Sequence, residues 1–370
     1  SVDLGAGNDK LTLANATNSA TVANVETLVG GTGNDTITLG NVLTAAMSVD
    51  LGAGSNKLTL TAGVNTGTVS NVSTLIGGAG NDAITLGTAL AGGSIDLGAG
   101  SDRLTLANAT NNVTVANVET IIGGTGNDTV TLSSALGNAM SVDLGAGSNK
   151  LTLANTGNAG TVSDVATLIG GTGSDSVTFG GSLVNGSVDL GTGNDTLTLA
   201  NFTNSVTVAN TETVHGGSGN DTIVLQGSVA ATVIGGGGMN FITGNSAADR
   251  FVFDQNSSGN TTTVMNFNAA KGDTIALDTT GSSTLASNSY NLGGAALLLN
   301  HDLADVANAA ARLSCTLANG GKGALVYQQD TGSLFYSSNG SFSGGGTLLG
   351  SITTNGATPW AFNANNFVQV

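Results

Sequence analysis

The chain has 370 residues, of which 58 are Gly and only 9% are charged, with one Pro, one Cys, and 24 acids against 8 bases for a formal charge of -16. Glycine this abundant without a G-X-Y period excludes collagen, and 39% hydrophobic content argues against simple disorder. The acidity disfavours a nucleic-acid partner and points to cations. Cys315 stands alone, so no intrachain disulfide can form, and no apolar run is long enough to span a membrane.

From the first residues the chain repeats. Asp3-Leu4-Gly5-Ala6-Gly7-Asn8-Asp9 recurs at Asp50, Asp96, Asp143 and Asp189, a period of 46–47. This first kind of turn places Gly5, Gly7 and Asp9; Gly52, Gly54 and Asn56; Gly98, Gly100 and Asp102; Gly145, Gly147 and Asn149; and Gly191, Gly193 and Asp195. A second kind lies between them, with Gly31, Gly33 and Asp35; Gly78, Gly80 and Asp82; Gly124, Gly126 and Asp128; Gly171, Gly173 and Asp175; and Gly217, Gly219 and Asp221. A degenerate copy ends in Asn240. The steps from first glycine to first glycine alternate 26 with 20 or 21 residues.

After each turn the pattern alternates. Leu11 and Leu13 fall on one face of a strand and Lys10 and Thr12 on the other; Asn15 to Asn18 form a polar corner, and Thr21 to Val29 read as one return strand. The expected fold is all-β, a parallel β-roll or β-solenoid in which each coil buries its neighbour's apolar row. About ten coils at roughly 4.8 Å spacing give a rod of about 50 Å. A slower rhythm of 93 residues is superposed: Asp9, Asp102 and Asp195 become Asn56 and Asn149 in alternate units, while Glu26, Glu119 and Glu212 become Ser73 and Ala166.

The sequence Gly30-Gly31-Thr32-Gly33-Asn34-Asp35-Thr36-Ile37-Thr38, with its copies, resembles the nonapeptide of repeats-in-toxin (RTX) proteins, secreted by Gram-negative bacteria. The resemblance covers residues 1–245 and implies Ca²⁺ held between successive turns. It implies carboxylate ligands at Asp9, Asp35, Asp82, Asp102, Asp128, Asp175, Asp195 and Asp221, with Asn56, Asn149 and Asn240 as neutral ones, and about eight to ten ions held by carbonyl and carboxylate oxygen. Gly-x-Gly-Asn-Asp is also good turn chemistry in its own right, with Asp capping backbone. A column of carboxylates about 5 Å apart, however, needs cations between its members. Because a whole out-and-back coil separates consecutive turns in this reading, the ions are expected along one edge only, with Asn/Thr corners on the other.

Two outward features remain. Asp3, Asp50, Asp96, Asp143 and Asp189 precede the first kind of turn, and Lys10, Lys57, Arg103 and Lys150 follow it; pairing with these bases is the favoured reading over extra ion ligands. A threonine row (Thr12, Thr38, Thr59, Thr85, Thr105, Thr131, Thr152, Thr178, Thr198) would suit ice or polysaccharide, but Thr is also a common strand former on exposed sheets, and the bases interrupt the adjacent rank.

After Gly244 the composition shifts. Ala248-Asp249-Arg250-Phe251-Val252-Phe253, Thr263-Val264-Met265-Asn266-Phe267 and Gly272-Asp273-Thr274-Ile275-Ala276-Leu277, with Tyr327 to Tyr336, resemble the segment that follows the RTX array in serralysin-type proteins. That resemblance implies a cap over residues 246–370 carrying the uncleaved signal for type I secretion. A helix is expected over Leu303 to Leu313, and aromatic clustering suggests a β-rich cap with its own core. No nucleophile, base and acid assemble around Cys315, His215 or His301, and neither an H-E-x-x-H nor a Cys pair occurs, so no enzyme and no zinc site are expected. The expected function is a secreted, calcium-dependent structural protein of a surface layer, sheath or extracellular filament, self-associating end to end or laterally. The alternatives are the secretion and folding module of a larger RTX enzyme or toxin, and an adhesin stalk.

Overall fold

Alternation of Thr or Ser with Val, Ile or Leu gives short strands with one buried face. In Thr36–Leu39, for example, Ile37 and Leu39 are buried while Thr36 and Thr38 look outward. A computed structural model describes residues 1–254, 261–268, 271–278, 299–300, 313–316, 322–328, 333–337, 347–353 and 367–369. The chain packs as two compact units, Ser1–Gly180 with Leu190–Gly193, and Gly181–Asp189 with Asn194–Val370.

In the first unit the strands β1 (Val2–Asp3), β2 (Lys10–Thr12), β3 (Ser19–Ala23), β4 (Thr27–Gly31), β5 (Thr36–Leu39) and β6 (Ser48–Gly52) alternate between two parallel sheets, and the pattern continues to Ser176–Phe179. Each strand pairs in parallel with the strand two places on, so two strands make one coil of a β-solenoid. The core of one sheet is a ladder of branched side chains in register, Ile37 on Leu58, Leu58 on Leu75, Leu75 on Ile95 and Ile95 on Val115, all buried. Burial of such rows is the main stabilising term, at about 25 cal/mol per Å² of apolar surface.

The coil is shorter than the sequence pattern suggested. A repeat from Asp3 to Asp50 holds five strands, because the expected return strand Thr21 to Val29 is two strands, β3 and β4, broken at Asn24 with φ of 52°. Five strands are two and a half coils, so corresponding turns in successive repeats fall on opposite edges. Two repeats, Asp3 to Asp96, make five whole coils and restore the sheet. This is the structural content of the 93-residue rhythm. Twenty strands fill the first unit, hence ten coils in 180 residues, where ten had been expected over 245.

Two expectations fail with that geometry. The threonine row is split: Thr38, Thr59, Thr131 and Thr152 lie in one sheet, and Thr12, Thr85, Thr105 and Thr178 in the other. The glycine turns do not share one edge either. Turns closing on Asp9, Asp82, Asp102 and Asp175 carry the chain from the first sheet to the second, and those closing on Asp35, Asn56, Asp128 and Asn149 carry it back.

In the second unit strands from Gly186–Asp189 to Thr274–Asp278 alternate in the same way, so coil pairing runs on past residue 245. Phe251, Phe253 and Phe267 fill its interior, with the Phe251 and Phe267 rings 6.2 Å apart and tilted. The strands Leu313–Thr316, Lys322–Gln328, Ser333–Ser337 and Thr347–Thr353 pair antiparallel in succession, and Thr347–Thr353 also pairs in parallel with Thr261–Met265. The helix expected at 303–313 lies outside the described residues except Leu313, which opens a strand; His301, Trp360 and Asp330 also lie outside them. Among the described residues no helix is long and apolar enough to cross a membrane.

Candidate metal centre

The glycine turns pack as stacked pairs. Gly52 has φ of 70°, and a Cβ there would overlap the carbonyl oxygen of Gly31 on the neighbouring coil. A Cβ on Gly216 would fall 2.8 Å from Asp221 Oδ2 and overlap the Gly235 carbonyl. Glycine thus opens a cradle lined by oxygen.

Into each cradle comes a buried carboxylate. Asp35, Asp82, Asp102, Asp128, Asp175, Asp195 and Asp221 are each at most 1% exposed, and Asp9, on the first coil, is partly covered. One oxygen is held by the coil before it: Asp35 Oδ1 accepts the N–H of Asn18 at 2.9 Å and its Nδ2 at 2.7 Å. Asn65 grips Asp82, Asn111 grips Asp128, Asn158 grips Asp175 and Asn204 grips Asp221 through the same two bonds. The other oxygen, Oδ2 of Asp9, Asp35, Asp82, Asp102, Asp128 and Asp221, is buried without a hydrogen-bond partner. Such a carboxylate oxygen is costly unless a cation meets it.

Burial pushes the Asp102 carboxyl above its usual range, and the charges of Asp82 and Glu119 add to the rise while the Asp82 N–H opposes it. Burial also raises Asp175 and Asp221, against hydrogen bonds from Asn158 and Asn204. The second unit offers an internal contrast. Asp249 accepts Ala231 N–H at Oδ1 and Asn245 N–H at Oδ2, and Asp273 accepts Asp249 N–H and Asn268 N–H. With both oxygens satisfied, these two carboxylates close coils without calling for an ion, and burial pushes Asp249 up to about 6. Among the described residues no three His, Cys, Asp or Glu gather at one point. The donors at the turns are single acids and backbone carbonyls, a hard all-oxygen set that suits Ca²⁺.

The acidic column is therefore short. On one edge Asn65, Asp82, Asp102 and Glu119 occupy consecutive coils, linked by Asn65 N–H to Asp82, Asp82 N–H to Asp102 at 2.7 Å and Asp102 N–H to Glu119 at 2.6 Å. On the other, Asn18, Asp35 and Asn56 are linked alike. Sequence reading missed the asparagine and glutamate members, which sit 17 residues from their aspartates, one coil away, and share no local motif with them. The alternation of Glu26, Glu119 and Glu212 with Ser73 and Ala166 was their one signal.

The second set of aspartates has another role. Asp3, Asp50, Asp96 and Asp143 accept the N–H of Gly5, Gly52, Gly98 and Gly145, fixing the turn. Asp3, Asp50 and Asp96 also accept Nδ2 of Asn24, Asn71 and Asn117 on the next coil at 2.6–2.8 Å, as Asp189 accepts that of Asn210. These partners, rather than Lys10, Lys57, Arg103 and Lys150, hold the aspartates, so the expected ion pairs give way to amide contacts. At Asp143 the asparagine is replaced by Asp164, whose carboxyl is raised by burial and by Asp143. His215 is half-buried, which lowers its pKa.

The family model for the RTX calcium-binding nonapeptide repeat matches four segments, residues 23–41, 73–88, 116–134 and 208–228. They contain the turns at Gly31, Gly78, Gly124 and Gly217. No curated protein matches the chain. Among solved structures the chain is similar to a hyperactive, Ca²⁺-dependent, β-helical antifreeze protein from an Antarctic bacterium, with 21% identity over 73% of this chain and 84% of that one and a TM-score of 0.24. The chain carries RTX-type calcium-binding repeats, and several Ca²⁺ ions are the cofactor of such turns.

Proposed function

We propose that this is a secreted, non-enzymatic structural protein whose solenoid folds only when Ca²⁺ fills its glycine turns, and which serves in a surface layer, sheath or extracellular filament. The observation that carries the calcium dependence is the buried carboxylate oxygen left without a donor at turn after turn. Where Ca²⁺ is scarce these acids repel, the glycine-rich chain keeps its large conformational entropy, and the protein passes unfolded through type I export machinery with its C-terminal segment as the signal. Outside, Ca²⁺ binds the folded turns alone and adds its binding free energy to folding. The structural role is supported by what the residues are used for: among the described ones, acids and amides of the turns bond one coil to the next.

Circular dichroism in excess EDTA is expected to show loss of β signal, restored by millimolar Ca²⁺; identical spectra would refute the folding switch. Electron microscopy at high Ca²⁺ is expected to show ordered assemblies. A field of monomers would favour the alternative, the folding and secretion module of a larger RTX enzyme or toxin.

A further inference from the structure

Strand register assembles outward ranks that no sequence repeat displays. On the sheet of β2, β4 and β6, Lys10 stands opposite Thr27, Thr27 opposite Ser48 and Ser48 opposite Thr68; the rank then continues through Thr85 to Thr105. Beside its last three members runs a second rank, Thr66, Ala83 and Arg103, followed by Thr120 and Ser141. Successive members of the first rank are 17 to 21 residues apart in the chain, so the local pattern does not reveal it.

Where the two ranks lie side by side the surface is concave. A groove of about 410 Å³ is lined by Thr66, Thr68, Ala83, Thr85, Arg103 and Thr105, together with Ala45 from the corner between β5 and β6. Arg103 is exposed and is the one charged side chain of the lining. Among the described residues nothing bonds to its guanidinium or to the four threonine hydroxyls. The outward acid on the coil before Thr66 is Asp50, which the Gly52 N–H and Asn71 Nδ2 already hold. Glu119, on the coil after Arg103, accepts the Asp102 N–H. The buried acids lie at the turns, where bound Ca²⁺ offsets their charge, so the groove is left with its base.

Chemistry narrows the occupant. No large apolar side chain stands exposed in the lining, so the buried centre that a protein partner needs is missing. Lys10 and Arg103, the two bases of this face in the first unit, stand five coils apart, about 24 Å at the usual strand spacing. Duplex nucleic acid carries a charge about every 1.7 Å, far too densely for two such bases. What matches them is a polymer rich in hydroxyls and sparse in negative charge. We propose that this groove binds an acidic polysaccharide. A sugar carboxylate or sulfate meets the planar fork of Arg103, sugar hydroxyls meet Thr66, Thr68, Thr85 and Thr105, and the chain lies along the first rank toward Lys10. The proposal goes beyond the structural role, and it needs the calcium reading only in so far as Ca²⁺ supports the fold that builds this face.

The test is isothermal titration calorimetry of the full chain, folded in millimolar Ca²⁺, with three polymers. Hyaluronate carries carboxylate alone, keratan sulfate carries sulfate alone, and dextran is uncharged. At least one of the two acidic polymers is expected to bind, more weakly as salt is raised, and dextran is not; the arm that binds identifies the anion. Arg103→Gln is expected to weaken that binding about tenfold or more, the loss of one charge-assisted pair. Lys57→Gln, on the other sheet, is expected to leave it unchanged. Both side chains are exposed, so neither substitution touches the core. Failure of both acidic polymers to bind overturns the proposal, as does undiminished binding by Arg103→Gln. Equal losses in the two variants would also overturn it, by marking a general attraction to bases, and so would dextran binding as tightly as the acidic polymers. Binding and β signal that both persist in EDTA would support the groove and refute the calcium reading alone.

Discussion

Gly52 has room for a hydrogen and nothing larger. Its φ of 70° disfavours any L side chain, and its Cα faces the Gly31 carbonyl of the coil beneath. Gly92 shares the backbone conformation, with φ of 88°, but opens onto free space. The pair separates conformational strain from close approach. Gly92→Ala is expected to cost about 1 kcal/mol, the lower end of the range for a non-glycine residue held in the left-handed region. Gly52→Ala carries the same strain and in addition forces the stacked turns apart, for a total of at least about 3 kcal/mol. Urea denaturation of both variants at saturating Ca²⁺ measures the difference; equal losses would mean that stacking of the turns does not constrain them. The aspartates that close these turns were legible as candidate ligands through their resemblance to the RTX nonapeptide, which fixes their place after the glycines. Their partners Asn18, Asn65 and Asn111 were not, because a bond to the next coil leaves no trace in the local sequence.

At the scale of the strand and its corner, the residue that sets the coil length is the left-handed asparagine. Asn24, Asn71 and Asn117 have φ of 52–57°, and each turns the chain between two strands without a glycine. Asn71 does three jobs: it bends the chain, donates Nδ2 to Asp50 at 2.6 Å, and presents its carbonyl to Asn56 Nδ2 at 2.9 Å. Asn71→Gly keeps the bend and the carbonyl and loses the amide bond, at about 1 kcal/mol. Asn71→Ala loses the bond and adds backbone strain, for about 2 kcal/mol. If thermal melts rank the two in the opposite order, the left-handed conformation is not what the site selects. This corner also explains why the coil was misread from the sequence. Val22, Val25 and Leu28, all buried, stand three apart, so the period of two breaks at Asn24 and a single strand would have turned Asn24 and Glu26 inward. Reading Thr21 to Val29 as one strand passed over that break, because asparagine is too common in exposed corners to announce a bend by itself. One missed corner per repeat turns two and a half coils into two, and with them a double-edged arrangement of turns into a single-edged one.

For the molecule as a whole, protons and Ca²⁺ compete for the same buried acids, and their effects on stability run in opposite directions with pH. Without metal, Asp102, Asp175 and Asp221 have carboxyl pKa values raised by burial, and Asp249 is raised to about 6. A carboxyl whose folded pKa lies above its unfolded one binds its proton more tightly in the fold, so protonation favours folding. That contribution is complete below the ordinary carboxylate value and is lost as pH rises through the folded value, which for Asp249 means between about 4 and 6. The formal charge of -16 at pH 7 adds general repulsion in the same direction. In EDTA whatever β signal survives is therefore expected to be larger at pH 5 than at pH 7.5. With Ca²⁺ the sign reverses, since the ion takes only the deprotonated ligand and its binding strengthens as the acids ionise. Circular dichroism at both pH values, each with EDTA and with millimolar Ca²⁺, should show a calcium-induced rise in β signal that is larger at pH 7.5 than at pH 5. An equal rise at the two values would mean that the titrating acids are not those that hold the metal, and would separate the buried carboxylates from the calcium dependence of the fold.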